Sequence, residues 1–536
     1  MARGFDIVIK NGRILDGTGS PYVKSDIAVK DDRITKIGRV VGDITKTIDA
    51  KGQIVSPGFI DPHSHTDHTV LAFPEAESFI LQGITTCVVG NCGLTLAPTS
   101  EKTLPLLRRY LEPFLRANYD YKWDWRTLFE YVERIEKQET SINLVPLVGQ
   151  GTVRLAVKGF DSTPATKSEM REMRKLVEES LSDGAFGMSS GLVYPPGSYS
   201  STEELVELAS VLPKYGGIYT SHIRNEEDRL MESVDEAIKI GEANDIPVEI
   251  SHFKAKGKPN WGKVNATLRE LESARVRGIQ VSCDVYPYLA GSTSIMASLP
   301  VWALEGGVEK MLSRLKDKKL RSQIAYEIDS GMMIGSNGIK AAGWGGVFIA
   351  GCPTNKKYEG KSLEQILKEK GRWGDPFEGF FDWMLEIQGN ARVNSFFMDE
   401  DDVRTVIKHP LASIGSDAGA ISPQAGGKPH PRNYGTFPRV LSKYVREEKL
   451  LPLEEGVRKM TSLPASVFGI QDRGVLREGF WADITIFDPD KIIDRATYEE
   501  PHQYTEGISY VIVNGEIVVE NGKHTGKRSG RVLRRR

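Results

Sequence analysis

The chain of 536 residues carries 70 Lys and Arg against 72 Asp and Glu, a formal charge of −2, with 40% hydrophobic and 26% charged residues. This is globular composition, at a length that suits one large barrel with additions rather than an ordinary single domain. Near-neutral charge offers no basis for a nucleic-acid partner, and no apolar run reaches the ~18–20 residues that cross a bilayer, so neither nucleic acid nor membrane is expected.

The start, MARGFDIVIKNG, lacks the apolar core of a signal peptide and reads as a strand running into an Asn-Gly turn. The four cysteines, Cys87, Cys92, Cys283 and Cys352, form no CxxC and no dense framework, so a reducing cytoplasm is the expected compartment. Through the first fifty residues FDIVIKNG, GRILDG, SDIAVKDDRITKIG and TIDAKGQIV alternate as short strands punctuated by NG, DG and DD turns. The same texture returns in ADITIFDP and ISYVIVNGEIVVENG. Residues 1–56 and 467–536 are therefore expected to build one small β-sandwich from both termini. The closing RSGRVLRRR is the one basic cluster and reads as a solvated tail or a local packing segment before a polyanion contact.

From 57 to 466 short apolar strands alternate with amphipathic helices, the βαβ signature of a parallel sheet. Strands are expected near Val55–His63, Ile84–Gly90, Ile142–Val148, Ala185–Ser189, Gly217–His222, Pro247–His252, Gln280–Tyr286 and Leu411–Asp417. Met170, Met173, Val177 and Leu181 mark one face of a helix at 3.6-residue spacing. Eight strand–helix units favour an α/β fold of the TIM-type (β/α)8 kind over an open doubly wound sheet. The interval from Tyr286 to Leu411 is far longer than one helix and its loops, so an insertion at about 293–405 is expected as a lid subdomain over the barrel mouth. Trp302, Trp344 and Phe348 within it suit either an apolar pocket or the insertion's own core.

Three of the nine histidines fall in DPHSHTDH, residues 61–68, behind the apolar run IVSPGFI. If Gln53 to His65 is one strand with a turn at Pro57-Gly58, then Asp61, His63 and His65 share a face. That is the layout of a metal site, with Asp61 in support and His68 beyond the strand and not a ligand. Cys92, His222, His252 and Asp417 likewise stand at the exits of expected strands, where a barrel gathers its chemistry. Each alone has a blander reading, as a satisfied loop histidine, a small buried thiol or a helix N-cap. Together, nitrogen, sulfur and oxygen donors suit Zn²⁺.

HSHTD after GFID, QGITTCVVGNCG, SGLVYPPG, SHIRNE, SHFKAKG, DVYPYLAGST, GSDAG and HPRNYGTFPRVL resemble the N-acyl-D-amino-acid deacylase (D-aminoacylase) branch of the amidohydrolase superfamily. The resemblance runs from KNGRILDG to the closing GRVLR. HxH with a distant GSD fixes only the superfamily, whereas the NCG cysteine and DVYPYLAGST point to the branch.

The resemblance implies that His222, His252 and Cys92 hold one tightly bound zinc. His63, His65 and Asp417 line a second, weaker position, with Cys92 standing where most amidohydrolases bridge two metals with a carboxylated lysine. It also implies hydrolysis of the amide of N-acyl-D-amino acids; no residue reports the handedness by itself. A zinc-bound water has its pKa lowered towards ~7. Asp417 is the group expected to take the water proton and return it to the leaving nitrogen. Lys254, Tyr286 and Ser292 are implied in substrate contact; Arg432 and Tyr194 are further candidates, each with a structural alternative.

The insertion looks longer than the small lid expected of the family, which leaves the acyl group and side chain open. Other readings are a cyclic-amide hydrolase of the hydantoinase or dihydroorotase kind, a D-dipeptide hydrolase, a nucleobase deaminase, and a non-catalytic amidohydrolase-like scaffold. Monomer and homo-oligomer both stay open.

Overall fold

The computed structural model describes residues 4–115, 119–333 and 335–535. Its strands run in chain order as β1 (Phe5–Ile14), β2 (Val23–Lys30), β3 (Arg33–Ile37), β4 (Ile44–Asp49) and β5 (Ile54–Pro57). Then come β6 (Phe59–Asp61), β7 (Ile84–Val89), β8 (Asn143–Pro146), β9 (Val148–Gly149), β10 (Gly187–Gly191) and β11 (Ile218–His222). They are followed by β12 (Val248–Ile250), β13 (Val281–Val285), β14 (Ala290–Ser294), β15 (Val347–Gly351), β16 (Arg392–Phe396) and β17 (Ala412–Ile414). The last are β18 (Ile484–Phe487), β19 (Ile508–Val513), β20 (Glu516–Glu520) and β21 (Lys523–His524).

β6, β7 and β8 pair in parallel, and so do β9, β10, β11, β12, β13 and β17 in that order. Only Leu147 separates β8 from β9, so the two are one broken stave and the staves number eight. The ring closes where the last stave meets the first. Asp417 N donates to His63 O at 2.7 Å, His65 N donates to Ala418 O at 2.8 Å, and Ser64 and Ala418 form a parallel bridge. The result is the (β/α)8 barrel expected from the alternation of strands and helices.

The helix Lys167–Ser182 shows why the outer ring forms. Thr166 and Glu169 make a capping box, and Met170, Met173, Val177 and Leu181 are buried along one face. Each such side chain contributes roughly 1.5–3 kcal/mol on burial.

Strands from both ends of the chain make one nine-stranded sheet, β21-β20-β19-β18-β5-β1-β2-β3 with β4 branching from β1. β5 and β18 join the two halves, with Val55 opposite Ile486 and Pro57 opposite Ile484. The alternating Ile7, Ile9, Ile27, Val29, Ile484 and Ile486 pack into its core.

The single strand read from Gln53 to His65 is corrected here. β5 belongs to the terminal sheet, β6 belongs to the barrel, and β6 stops at Asp61. An apolar run reads the same on both sides of that crossing. Gly58 makes the crossing, where a β-carbon would overlap the Thr85 side chain. His63 and His65 therefore lie on the loop beyond the strand.

The basic C-terminal segment is a packing segment as far as Arg535, the last residue described. It adds to β8 through Leu144 N to Arg531 O at 2.9 Å and Leu533 N to Leu144 O at 2.8 Å. Arg534 pairs with Glu136 and Arg531 with Asp32, while Arg535 donates to the Phe468 carbonyl.

Between β13 and β17, β14, β16 and β15 form a small antiparallel sheet, with helices between Val308 and Glu386. Trp344 packs edge-on against Phe377 and Phe380, Trp302 donates its indole N–H to Glu327, and Phe348 packs against Phe396. These aromatics serve the insertion's own packing, and none of them lines the central cavity. Residues of β14 and β16 do line that cavity. No helix among the described residues is long and apolar enough to cross a membrane.

Candidate metal centre

At the barrel mouth the donors fall into two groups. His63, His65, Cys92 and Asp417 form one; Cys92, His222 and His252 form the other; within each the donor atoms lie within 4.8 Å of one another. Cys92 belongs to both. His222 Nδ1 and His252 Nε2 are 2.8 Å apart, and Cys92 Sγ lies 3.6 Å from His252 Nε2 and 3.3 Å from His63 Nε2. On the other side His65 Nε2 is 3.2 Å from Asp417 Oδ1, and His63 Nε2 is 3.7 Å from the same oxygen.

The charge balance fits a cation. Burial alone would raise the Cys92 thiol, but His63, His222 and His252 outweigh it and hold it well below the ordinary thiol range. Burial would likewise lower His65, yet Asp417 and Cys92 push it up to about 9. A thiolate and a carboxylate among buried imidazoles call for positive charge, which protons or a metal ion can supply. Two imidazole nitrogens and a sulfur turned to one point match the N/S donor set of zinc.

Three donors sit in the left-handed backbone region that non-glycine residues seldom adopt: Cys92 at φ 56°, His252 at 39° and Asp417 at 50°. Each costs of order 1–3 kcal/mol and persists only where neighbours over-determine it. Those neighbours are present, since His252 N donates to Asp284 Oδ1 at 3.0 Å and Asp417 N is held by His63 O.

Two buried carboxylates orient the rings. Asp284 Oδ2 is 3.0 Å from His63 Nδ1. Glu226 lies 3.2 Å from His252 Nδ1 and 3.4 Å from His222 Nε2, the ring nitrogens turned away from the donor point. Such partners fix the tautomer that leaves the other nitrogen free for a metal. Sequence reasoning missed both. The available signal was burial: a carboxylate inside VSCDV or behind SHIRN, if buried, needs a partner.

Asp61, expected to support the rings, supports the backbone instead. Its Oδ1 accepts from His63 N at 3.1 Å and Ser416 N at 2.9 Å, and its Oδ2 accepts from the Ser416 hydroxyl. His68 lies outside both donor groups, with Nε2 3.2 Å from Leu94 O, and lines the cavity wall.

A cavity opens over the donors, and Lys254, Tyr286, Ser292 and Tyr194 all line it. The Tyr286 and Ser292 hydroxyls are buried without a partner. Tyr194 donates to or accepts from the Thr293 hydroxyl at 3.0 Å and sets its ring edge against His222. Lys254 Nζ is 2.5 Å from Glu226 Oε1, 2.7 Å from His252 O and 2.8 Å from His252 Nδ1. A metal on His252 Nε2 would require a proton on Nδ1, which faces Glu226 at 3.2 Å; the last contact would then set donor against donor and leave one ammonium N–H without that acceptor. Arg432, a further candidate for substrate contact, is buried with Nη1 2.9 Å from Asp417 Oδ2 and is not among the residues that line the cavity.

A model of the amidohydrolase family matches residues 46–519. The chain is 34% identical over 532 residues to the D-aminoacylase of Alcaligenes xylosoxydans xylosoxydans, covering 99% of this chain and 98% of that one. It is similar to the solved D-aminoacylase studied for its binuclear metal centre, with one-metal activation and second-metal attenuation. The TM-score there is 0.82 at 34% identity, covering 99% of this chain and 100% of that one. It is equally similar to N-acyl-D-glutamate deacylase from Bordetella bronchiseptica, complexed with zinc and a phosphonate mimic of the tetrahedral intermediate. That match has a TM-score of 0.82 and 33% identity, covering 99% and 100% of the two chains.

Proposed function

The chain belongs to the amidohydrolase family, and on that premise we propose that it hydrolyses the amide bond of N-acyl-D-amino acids, releasing a carboxylic acid and a free D-amino acid, with zinc as cofactor. The observation that carries this reading is the pair of donor groups sharing Cys92 on the wall of the central cavity. His222, His252 and Cys92 would hold the first ion; His63, His65 and Asp417 would line a second position beside the same sulfur. A zinc ion there supplies Lewis acidity, polarising the scissile carbonyl and lowering the pKa of water.

The chain's own residues do the rest. Asp417 is kept ionised: burial would raise it, but Arg432 and the neighbouring imidazoles outweigh that and hold it well below the usual carboxylate range. It takes the proton of the attacking water and delivers it to the leaving nitrogen, without which an amide cannot depart. Arg432 fixes Asp417 Oδ2, which leaves Oδ1 facing His65. The unpartnered Tyr286 and Ser292 hydroxyls and the Lys254 ammonium receive the substrate carboxylate. Tyr194, braced by Thr293, positions His222.

Four buried cysteines without a disulfide suit a reducing compartment, and we place the protein in the cytoplasm. The reading is tested by stripping the metal. Hydrolysis of N-acetyl-D-methionine should vanish on chelation and return with added zinc; activity persisting in metal-free protein would refute it.

A further inference from the structure

Resting on the deacylase reading, we propose that Ser298 and Ser395 make this chain select substrates carrying a neutral carboxamide, in preference to an apolar group or a second carboxylate. Both serines are 6% exposed and line the central cavity, as does Gly338. The three come from separate parts of the insertion. Ser298 ends the short helical turn Ile295–Ser298, Ser395 lies on β16 opposite Gly291, and Gly338 opens the helix Gly338–Ala342. The nearest atoms that a β-carbon on Gly338 would meet are Ser298 Oγ at 3.9 Å and Ser395 Oγ at 4.0 Å. Glycine there leaves a hollow in the cavity wall with a hydroxyl on either side. Neither hydroxyl has a hydrogen-bond partner among the described residues.

An apolar group seated in the hollow would displace water and leave both hydroxyls unpaired, which a binding site penalises strongly. A carboxylate meets a different objection. Glu226 faces Lys254 and Lys256 at 2.5 Å each. Glu227 reaches Lys256 through the Ser336 hydroxyl, which lies 3.0 Å from the ammonium and 3.4 Å from Glu227 Oε1. The two ammonium groups thus face two carboxylates before the substrate α-carboxylate arrives, so a further negative charge finds no cation in excess. Arg392, also on the cavity wall, lies 5.7 Å from the centroid of the Phe114 ring, on the side of His68. A carboxamide offers a carbonyl acceptor and an N–H donor without charge, so each hydroxyl gains a partner. It has two sources: the amino-acid side chain, as in glutamine, or the acyl group, as in a succinamoyl chain.

The test compares kcat/KM within two isosteric series. N-acetyl-D-glutamine against N-acetyl-D-homoleucine and N-acetyl-D-glutamate reports the side-chain source. N-succinamoyl-D-alanine against its 4-methylpentanoyl and succinyl counterparts reports the acyl source. In one series the wild type should favour the carboxamide over both other members by about tenfold or more. In the double variant Ser298→Ala, Ser395→Ala the ratio of carboxamide to apolar member should fall towards one. A ratio taken within one variant cancels changes in folding and metal content, so a merely structural role would not move it. Cleavage of D-substrates with no carboxamide preference in either series would overturn the inference and leave the deacylase reading standing. So would a preference that survives in the double variant. Cleavage of no D-substrate would overturn both. The wild-type ratios decide the claim even where the double variant does not fold.

Discussion

Arg432 and Asp417 form a buried pair, with Nη1 2.9 Å from Oδ2 and the guanidinium 4.8 Å from the centroid of the Tyr286 ring. The pair opposes the tendency of burial to raise Asp417. In Arg432→Met that opposition is lost, the proton affinity of Asp417 rises, and the acid limb of the kcat/KM profile should move to higher pH. An acid limb that stays in place would contradict the role given to Arg432.

Asp417→Ala removes the proton carrier but none of Cys92, His222 and His252. Turnover should fall by about 10²–10⁴-fold, with zinc per chain largely retained. Metal analysis and kcat on one preparation measure both. Full activity would remove Asp417 from the chemistry.

Glu226→Gln keeps the shape of the side chain and deletes the charge that faces the outer nitrogens of His252 and His222 at 3.2 and 3.4 Å. Zinc affinity should weaken by about 10–100-fold, the usual effect of losing such a partner. Competition with a chelator of known affinity reads this directly. An unchanged affinity would show that the two histidines need no carboxylate behind them.

Lys459 lies at the other end of the barrel's eighth stave, fully buried, donating to the carbonyls of His409 and Ala412. Burial pushes its pKa down to about 8, whereas the unfolded chain keeps the proton to about 10.4. Between those values the unfolded state binds more protons, so stability rises with pH; below about 8 both states are charged and the folded chain carries the full desolvation cost. The melting temperature of the wild type minus that of Lys459→Met should therefore rise from about pH 8 to about pH 10. A flat difference would mean that Lys459 stays charged in the fold.

Much of this architecture is legible in the chain because barrel staves are short apolar runs with chemistry at their exits. The expected strand at Gly217–His222 corresponds to β11, and the expected Gln280–Tyr286 to β13. His63, His65, Cys92, His222, His252 and Asp417 stand out because their donor types are rare at such positions. What is not legible depends on contacts between distant segments. Nothing in NEED around Glu226, or in SCDVY around Asp284, tells that these carboxylates face imidazoles. Arg432 reads as a carboxylate binder, since only the closed barrel shows that the carboxylate it binds is Asp417. The Gln53–His65 run hides a change of sheet, because alternation persists across Gly58 while the pairing partner does not.

The most direct measurement is hydrolysis of paired N-acetyl-D- and N-acetyl-L-amino acids, with zinc determined on the same preparation. Cleavage of the D-series alone, with at least one zinc per chain, is the result expected. Bound zinc with neither series cleaved, or cleavage of the L-series in preference, would contradict the proposed activity.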